Sequence, residues 1–190
     1  GAVFGSKKLK GVVVYGTGKV PAADPEKVKE IQKGTFPNLR ETRGNHTKYG
    51  TAQYIQPIHE LGCMPTRNFQ TTYFEGGDKV DHNFFYDNYK VGNYACEKCP
   101  VACGSVGEVK EGPYKGARAR TEYENIGLLG PNCGVDDFAA IIAANELCDK
   151  IGLDTMSGAN MVALSMELFE RGLITTDDTE GIEARFGSGE

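Results

Sequence analysis

Between residues 136 and 172 the apolar positions fall at helical spacing. Phe138, Ile141, Ile142, Leu147, Cys148 and Ile151, with four alanines among them, predict a helix. Asp136-Asp137 opens it and Gly152 is the residue type that ends one. So few polar residues interrupt its surface that burial on several sides is expected. A second helix is predicted from about Ser157 to Arg171, closed by Gly172. Its expected inward face is Met161, Val162, Leu164, Leu168 and Phe169, with Glu167, Glu170 and Arg171 outward. Asp149, Asp154 and Thr155 surround the joint between the two helices. They read either as capping groups or as a ligand site, capping being the simpler account.

The pattern is weaker upstream. Val12-Val13-Val14-Tyr15, between Gly11 and Gly16, predicts a short strand. Gly5-Ser6-Lys7 has phosphate-binding residue types but lacks the full P-loop pattern, so an ordinary loop is expected. Val20 to Ala23 reads as a linker. Asp24-Pro25 supplies an N-cap and a first-turn proline for a helix expected to run to about Gln32 and stop near Gly34. Residues 35–50 read as loop and short helix. A helix disturbed by Pro57 is expected between Thr47 and Leu61, and extended backbone over Cys63 to Phe69 because of Pro65. The aromatics of residues 73–94 read as core, and residues 105–118 as a hairpin or loop. Thr121-Glu122-Tyr123-Glu124-Asn125 is a polar island before an apolar segment. It is either a helix start, where acids complement the dipole, or a carboxylate presented to an active site.

Chemistry concentrates in Cys96-Glu97-Lys98-Cys99-Pro100-Val101-Ala102-Cys103-Gly104, a C-x2-C-x3-C run. Pro100 and Gly104 permit the two tight turns that would bring three thiolates to one point. The run fits an iron–sulfur cluster, a structural zinc, disulfides, or burial of small thiols. Three cysteines do not pair locally, which weakens the disulfide reading. A four-iron cluster needs a fourth ligand, from Cys63, Cys133, Cys148 or chain outside this sequence.

Net charge is −5 over 190 residues, with the basic residues scattered, which argues against a nucleic-acid partner. No apolar run approaches the length of a membrane span. Six cysteines without a visible leader favour a reducing, cytoplasmic compartment and metal use. The start at Gly1, without Met, and the acidic tail from Thr175 to Glu190 lead us to expect a segment of a longer chain.

The motifs together resemble the tungsten-containing aldehyde:ferredoxin oxidoreductase family. The matching segments are Gly1 to Lys10, Met64-Pro65-Thr66-Arg67-Asn68-Phe69, the cysteine run, Glu122-Tyr123-Glu124, Leu128 to Gly134, and Ala144 to Thr155. They lie in the family's order over almost the whole chain. The cysteine run and Asp149-Lys150-Ile151-Gly152-Leu153-Asp154 are the most specific. Met64 stands where leucine is usual, and Asn125, next to Glu124, where threonine is usual.

The resemblance implies a mainly α fold: a multi-helical domain over residues 23–190, with residues 1–22 a strand and loop left from a preceding pterin-binding β domain. The strand, its sheet missing, is expected to expose its apolar side chains, and no sheet of four or more strands is expected. It also implies that Cys96, Cys99 and Cys103 are three ligands of a [4Fe–4S] cluster, the fourth lying beyond Glu190. Asp149, Leu153 and Asp154 would bind one pterin of a tungsten (or molybdenum) bis-molybdopterin centre. Glu124 would be the catalytic proton-transfer residue. The implied reaction oxidises a small aldehyde to a carboxylic acid, and electrons leave to a ferredoxin-like carrier. The first and third domains of the longer protein would be partners, with a homodimer also expected. The chain alone is expected to be inactive and to hold no stable cluster, because three thiolates leave one iron open. The rival reading is a non-catalytic iron–sulfur electron-transfer or metal-binding module.

Overall fold

The computed structural model describes residues 2–18 and 20–189. The fold is mainly α, as expected, with a small antiparallel sheet. Helix α1 spans Ala2–Ser6, where a loop was expected. Residues 11–17 form no regular element, so the expected strand at Val12 to Tyr15 is not there. Its side chains are exposed, Val13 to 98%, and a β-branched run without a partner strand has no ladder to join.

Helix α2 covers Pro25–Thr42, capped by the Asp24 carboxylate, which accepts from the Lys27 N–H at 2.9 Å. It continues past Gly34 and through Pro37, beyond the predicted stop. Both residues weaken a helix without having to end it. Helix α3 is Gly44–Tyr49, a 3₁₀ segment follows over Gly50–Tyr54, and α4 is Ile55–Glu60. Pro57 lies in the first turn of α4, where its missing N–H costs nothing, so the interruption comes earlier, at Gly50. None of the residues described before Gly50 is buried.

The core forms from residue 50 onward. Helix α5 is His82–Asn88, strand β1 Lys90–Tyr94, β2 Gly104–Glu108 and β3 Arg118–Arg120. The sheet order is β1-β2-β3, antiparallel throughout. Residues 105–118 thus include the hairpin the composition pointed to. Helix α6 is Tyr123–Leu129, α7 Phe138–Ile151 and α8 Thr155–Glu170. Helix α7 lies against β3, and α8 against α6. The Phe138 ring stacks on Phe85 and Tyr89, each with centroids at 5.3 Å. Phe74 and Phe85 are buried as expected, whereas Tyr73 and Tyr86 are exposed.

Three other expectations change. In α8 the buried positions are Gly158, Ala159, Ala163 and Met166, while Met161, Val162 and Leu164 are exposed. Small residues let the helix approach its neighbours closely, so Gly158, Ala159 and Ala163 take most of the inner face, with Met166 beside them. Glu167 is not outward: it accepts from Asn68 Nδ2 at 2.5 Å and pairs with Arg171. The chain after Pro65 is not extended, since Arg67, Asn68 and Phe69 all have positive φ. That turn is held by Arg67 and Asn68 N–H groups donating to the Pro131 and Asn132 carbonyls at 3.1 and 2.9 Å. The buried Asn132 side chain accepts from the Phe69 N–H.

Candidate functional site

Cys96, Cys99 and Cys103 sit on a hairpin loop. β1 and β2 pair with Tyr94 opposite Gly104 and Asn93 opposite Ser105, leaving residues 95–103 as the loop. The root is tight because Gly104 has no side chain: a Cβ there would lie 2.2 Å from the Tyr94 ring. On the other side Gly50 has φ +67°, and a Cβ would meet Ser105 Oγ at 2.2 Å and the Cys103 carbonyl at 2.8 Å. Asn93 Nδ2 donates to the Ala102 carbonyl at 2.8 Å and the Thr47 carbonyl at 2.6 Å. The Thr47 hydroxyl donates to the Val101 carbonyl.

Within the loop Lys98 and Ala102 have φ of 61° and 50°, each one residue before a cysteine. Left-handed backbone at non-glycine residues persists only where the surroundings enforce it. Cys96 and Cys99 are exposed, Cys103 is half-buried, and all six cysteines are free. Among the described residues no three His, Cys, Asp or Glu side chains gather closely enough to hold a metal ion. The donor chemistry still suits an iron–sulfur cluster, with three free thiols on one turn-rich loop. Cys133 and Cys148 are different: burial raises both thiols, Cys133 to about 12. Such thiols stay protonated and serve packing.

Glu124 lies in the first turn of α6, half-buried, so the polar island is a helix start. It also faces a cavity of about 320 Å³ lined by Ile55, Ile58, Cys63, Met64, Gly127 and Met156. The surroundings are mostly apolar, and the carboxylate has no hydrogen-bond or ion-pair partner among the described residues. Its neighbour Glu122 is the opposite case. The Glu122 carboxylate accepts from the Tyr94 hydroxyl at 2.7 Å and the Thr51 hydroxyl at 2.5 Å. Burial, and then this carboxylate, push the Tyr94 phenol up to about 12.

Asp149 is exposed in the last turn of α7, beside an open cleft lined by Arg118 and Arg120 and another lined by Lys8, Lys10 and Lys150. Gly152 ends α7 at φ +73°. Leu153 is 49% exposed in the connection. Asp154 caps α8, accepting from the Ser157 N–H at 2.8 Å, and hydrogen bonding from the Ser157 side chain and then from its N–H holds its carboxyl below the usual range. The structure therefore groups Asp149, Leu153 and Asp154 at one joint, and Met156, two residues past Asp154, walls the cavity that Glu124 faces. The partnering of Glu122, and the Cys63 and Met156 walls of the Glu124 cavity, were not foreseen. Their partners lie far away in sequence, and no local signal marks them.

These elements define a helical domain carrying a thiol-bearing hairpin and, apart from it, a carboxylate facing an apolar cavity. The chain belongs to the aldehyde ferredoxin oxidoreductase family: residues 26–190 match the family model described as aldehyde ferredoxin oxidoreductase, domains 2 & 3. It is 41% identical over 181 residues to the tungsten-containing aldehyde ferredoxin oxidoreductase of Thermococcus kodakarensis, covering 94% of this chain and 29% of that protein. The corresponding protein of Pyrococcus horikoshii is 40% identical over 196 residues, covering 100% of this chain and 32% of that protein. An aliphatic sulfonate oxidoreductase, WOR-like subunit, of Pyrococcus furiosus is 30% identical over 190 residues. The chain thus spans under a third of the length of the relatives it matches. Among the described residues no single helix is long and apolar enough to cross a membrane.

Proposed function

We propose that this chain is part of a cytoplasmic oxidoreductase that converts an aldehyde to a carboxylic acid at a tungsten (or molybdenum) bis-molybdopterin centre. Electrons would leave through a [4Fe–4S] cluster to a ferredoxin-like carrier. Family membership and the names of the relatives support this reading. The observation that carries it is Glu124, a half-buried carboxylate without a protein partner, facing an apolar cavity.

When bound, the pterin-held metal supplies the two-electron chemistry and the cluster a one-electron exit. Cys96, Cys99 and Cys103 would hold the cluster, with the fourth ligand from the longer protein. Asp149, Leu153 and Asp154 would hold one pterin. Residues 1–22 would close the preceding domain and residues 23–190 form the helical one. Glu124 would take, at its carboxylate oxygen, a proton from the water whose oxygen enters the acid, while the mostly apolar walls limit further water and leave room for a small aldehyde.

In the longer protein, Glu124→Gln is expected to lower kcat by roughly 10²–10⁴-fold, the range for a general acid–base group. Tungsten and iron content, measured by elemental analysis, should stay near wild type. Near-normal turnover with full cofactor loading would remove Glu124 from the mechanism.

A further inference from the structure

Glu122 is two residues from Glu124, yet its surroundings point to another task. Its carboxylate joins three parts of the molecule. One oxygen accepts from Tyr94, the last residue of β1 and the foot of the cysteine loop, at 2.7 Å. The other accepts from Thr51, in the 3₁₀ segment, at 2.5 Å. Thr51 Oγ in turn accepts from the Tyr123 N–H at 3.0 Å. A hydroxyl has one proton, so with Tyr123 donating to it, Thr51 must give that proton to Glu122.

Tyr94 is itself held. Its ring occupies the space left by the absent side chain of Gly104, and the Arg120 guanidinium sits 4.1 Å from the ring centroid. The loop has a second set of ties, from Thr47 and Asn93, which fasten it toward α3. Glu122 is where the loop's foot, the 3₁₀ turn and the start of α6 meet.

We propose that Glu122 is a positioning residue: through Tyr94 and Thr51 its carboxylate fixes the cysteine hairpin relative to α6, the helix that carries Glu124. The clamp itself is a statement about this chain's own residues. Its consequence for the cluster rests on the function proposed above. Supporting groups of this kind orient ligands that they do not replace.

The test uses the longer protein with its cofactors loaded. Tyr94→Phe and Thr51→Val each remove one donor while keeping shape, and Glu122→Ala removes the acceptor. Amide hydrogen exchange over residues 93–105 is the first readout. Exchange there should speed up in all three variants, with residues 138–170 unchanged. Because all three act through one carboxylate, Tyr94→Phe with Glu122→Ala should exchange no faster than Glu122→Ala alone.

Thr51→Ser keeps the hydroxyl, and Glu122→Gln keeps one acceptor and offers one donor, so both should restore protection. Iron content and the paramagnetic resonance signal of the reduced cluster are the second readout. The disrupting variants should lose about 10–100-fold in iron retention or electron transfer, as outer ligand-supporting groups do.

Unchanged exchange in Tyr94→Phe and Thr51→Val overturns the proposal, and so does failure of the two conservative variants to rescue. If Glu122→Ala does not fold, those milder variants still decide it. A wild-type protein without iron would defeat the cluster reading, while the exchange result would still decide the clamp.

Discussion

Single positions around the cysteine hairpin are fixed by contact rather than by residue type. Gly104 is the clearest. Its neighbour across the ladder is Tyr94, whose ring fills the volume a side chain would need. Gly104→Ala must displace a ring that is also bonded to Glu122 and placed under Arg120. Overpacking of this kind costs about 1–3 kcal/mol, and thermal unfolding of the variant should show it. A melting temperature at the wild-type value would mean that the ring moves freely. Glu122 and Glu124 make the same point from chemistry. They are the same residue type two positions apart. One has both oxygens engaged by hydroxyls, and the other has none engaged and faces an apolar cavity. Only Glu124 has a carboxylate left unengaged by the protein, which the proton-transfer role proposed for it requires.

At the helix joint an observed cap and a proposed ligand contact fall on the same residue. Asp154 caps α8, which is sufficient structural reason for an aspartate there. The pterin reading asks for its charge as well. Asp154→Asn separates the two, because asparagine caps about as well as aspartate but carries no charge. Melting should be little changed at neutral pH, while pterin content of the longer protein, measured by fluorescence after release, should fall. Unchanged pterin content would leave Asp154 as a cap alone. Asp154 also has a pH signature. Its folded pKa lies below the unfolded one, so its contribution to stability is present above the ordinary carboxylate range. It is lost as pH falls through the folded value, and Asp154→Asn should flatten that acid limb.

At the scale of the whole molecule the chain divides into an exposed N-terminal part and a packed remainder. Helix α2 buries no residue, and the described residues before it are exposed. Segments with few buried contacts open first. Limited proteolysis of this chain should therefore trim it to near Arg43 before cutting within residues 50–170; early cuts in α7 or α8 would contradict the structure. Much of this was legible in the sequence. The α7 pattern, its Asp137 and Gly152 boundaries, the Asp24 and Asp154 caps and the cysteine loop depend on near neighbours, and local spacing reports near neighbours directly. The strand at Val12 to Tyr15 was misread because β propensity needs a partner strand to act on. The inner face of α8 was misread because closeness of approach selected Ala159 and Ala163 over larger residues. The sequence by itself determined the mainly helical class, the main caps and the donor types at the cysteine run. Tertiary structure alone decided that Tyr94, Thr51 and Glu122 meet, and that Glu124 faces a cavity walled by Ile55, Met64 and Met156. Those contacts join residues dozens of positions apart, and only packing in three dimensions brings them within reach.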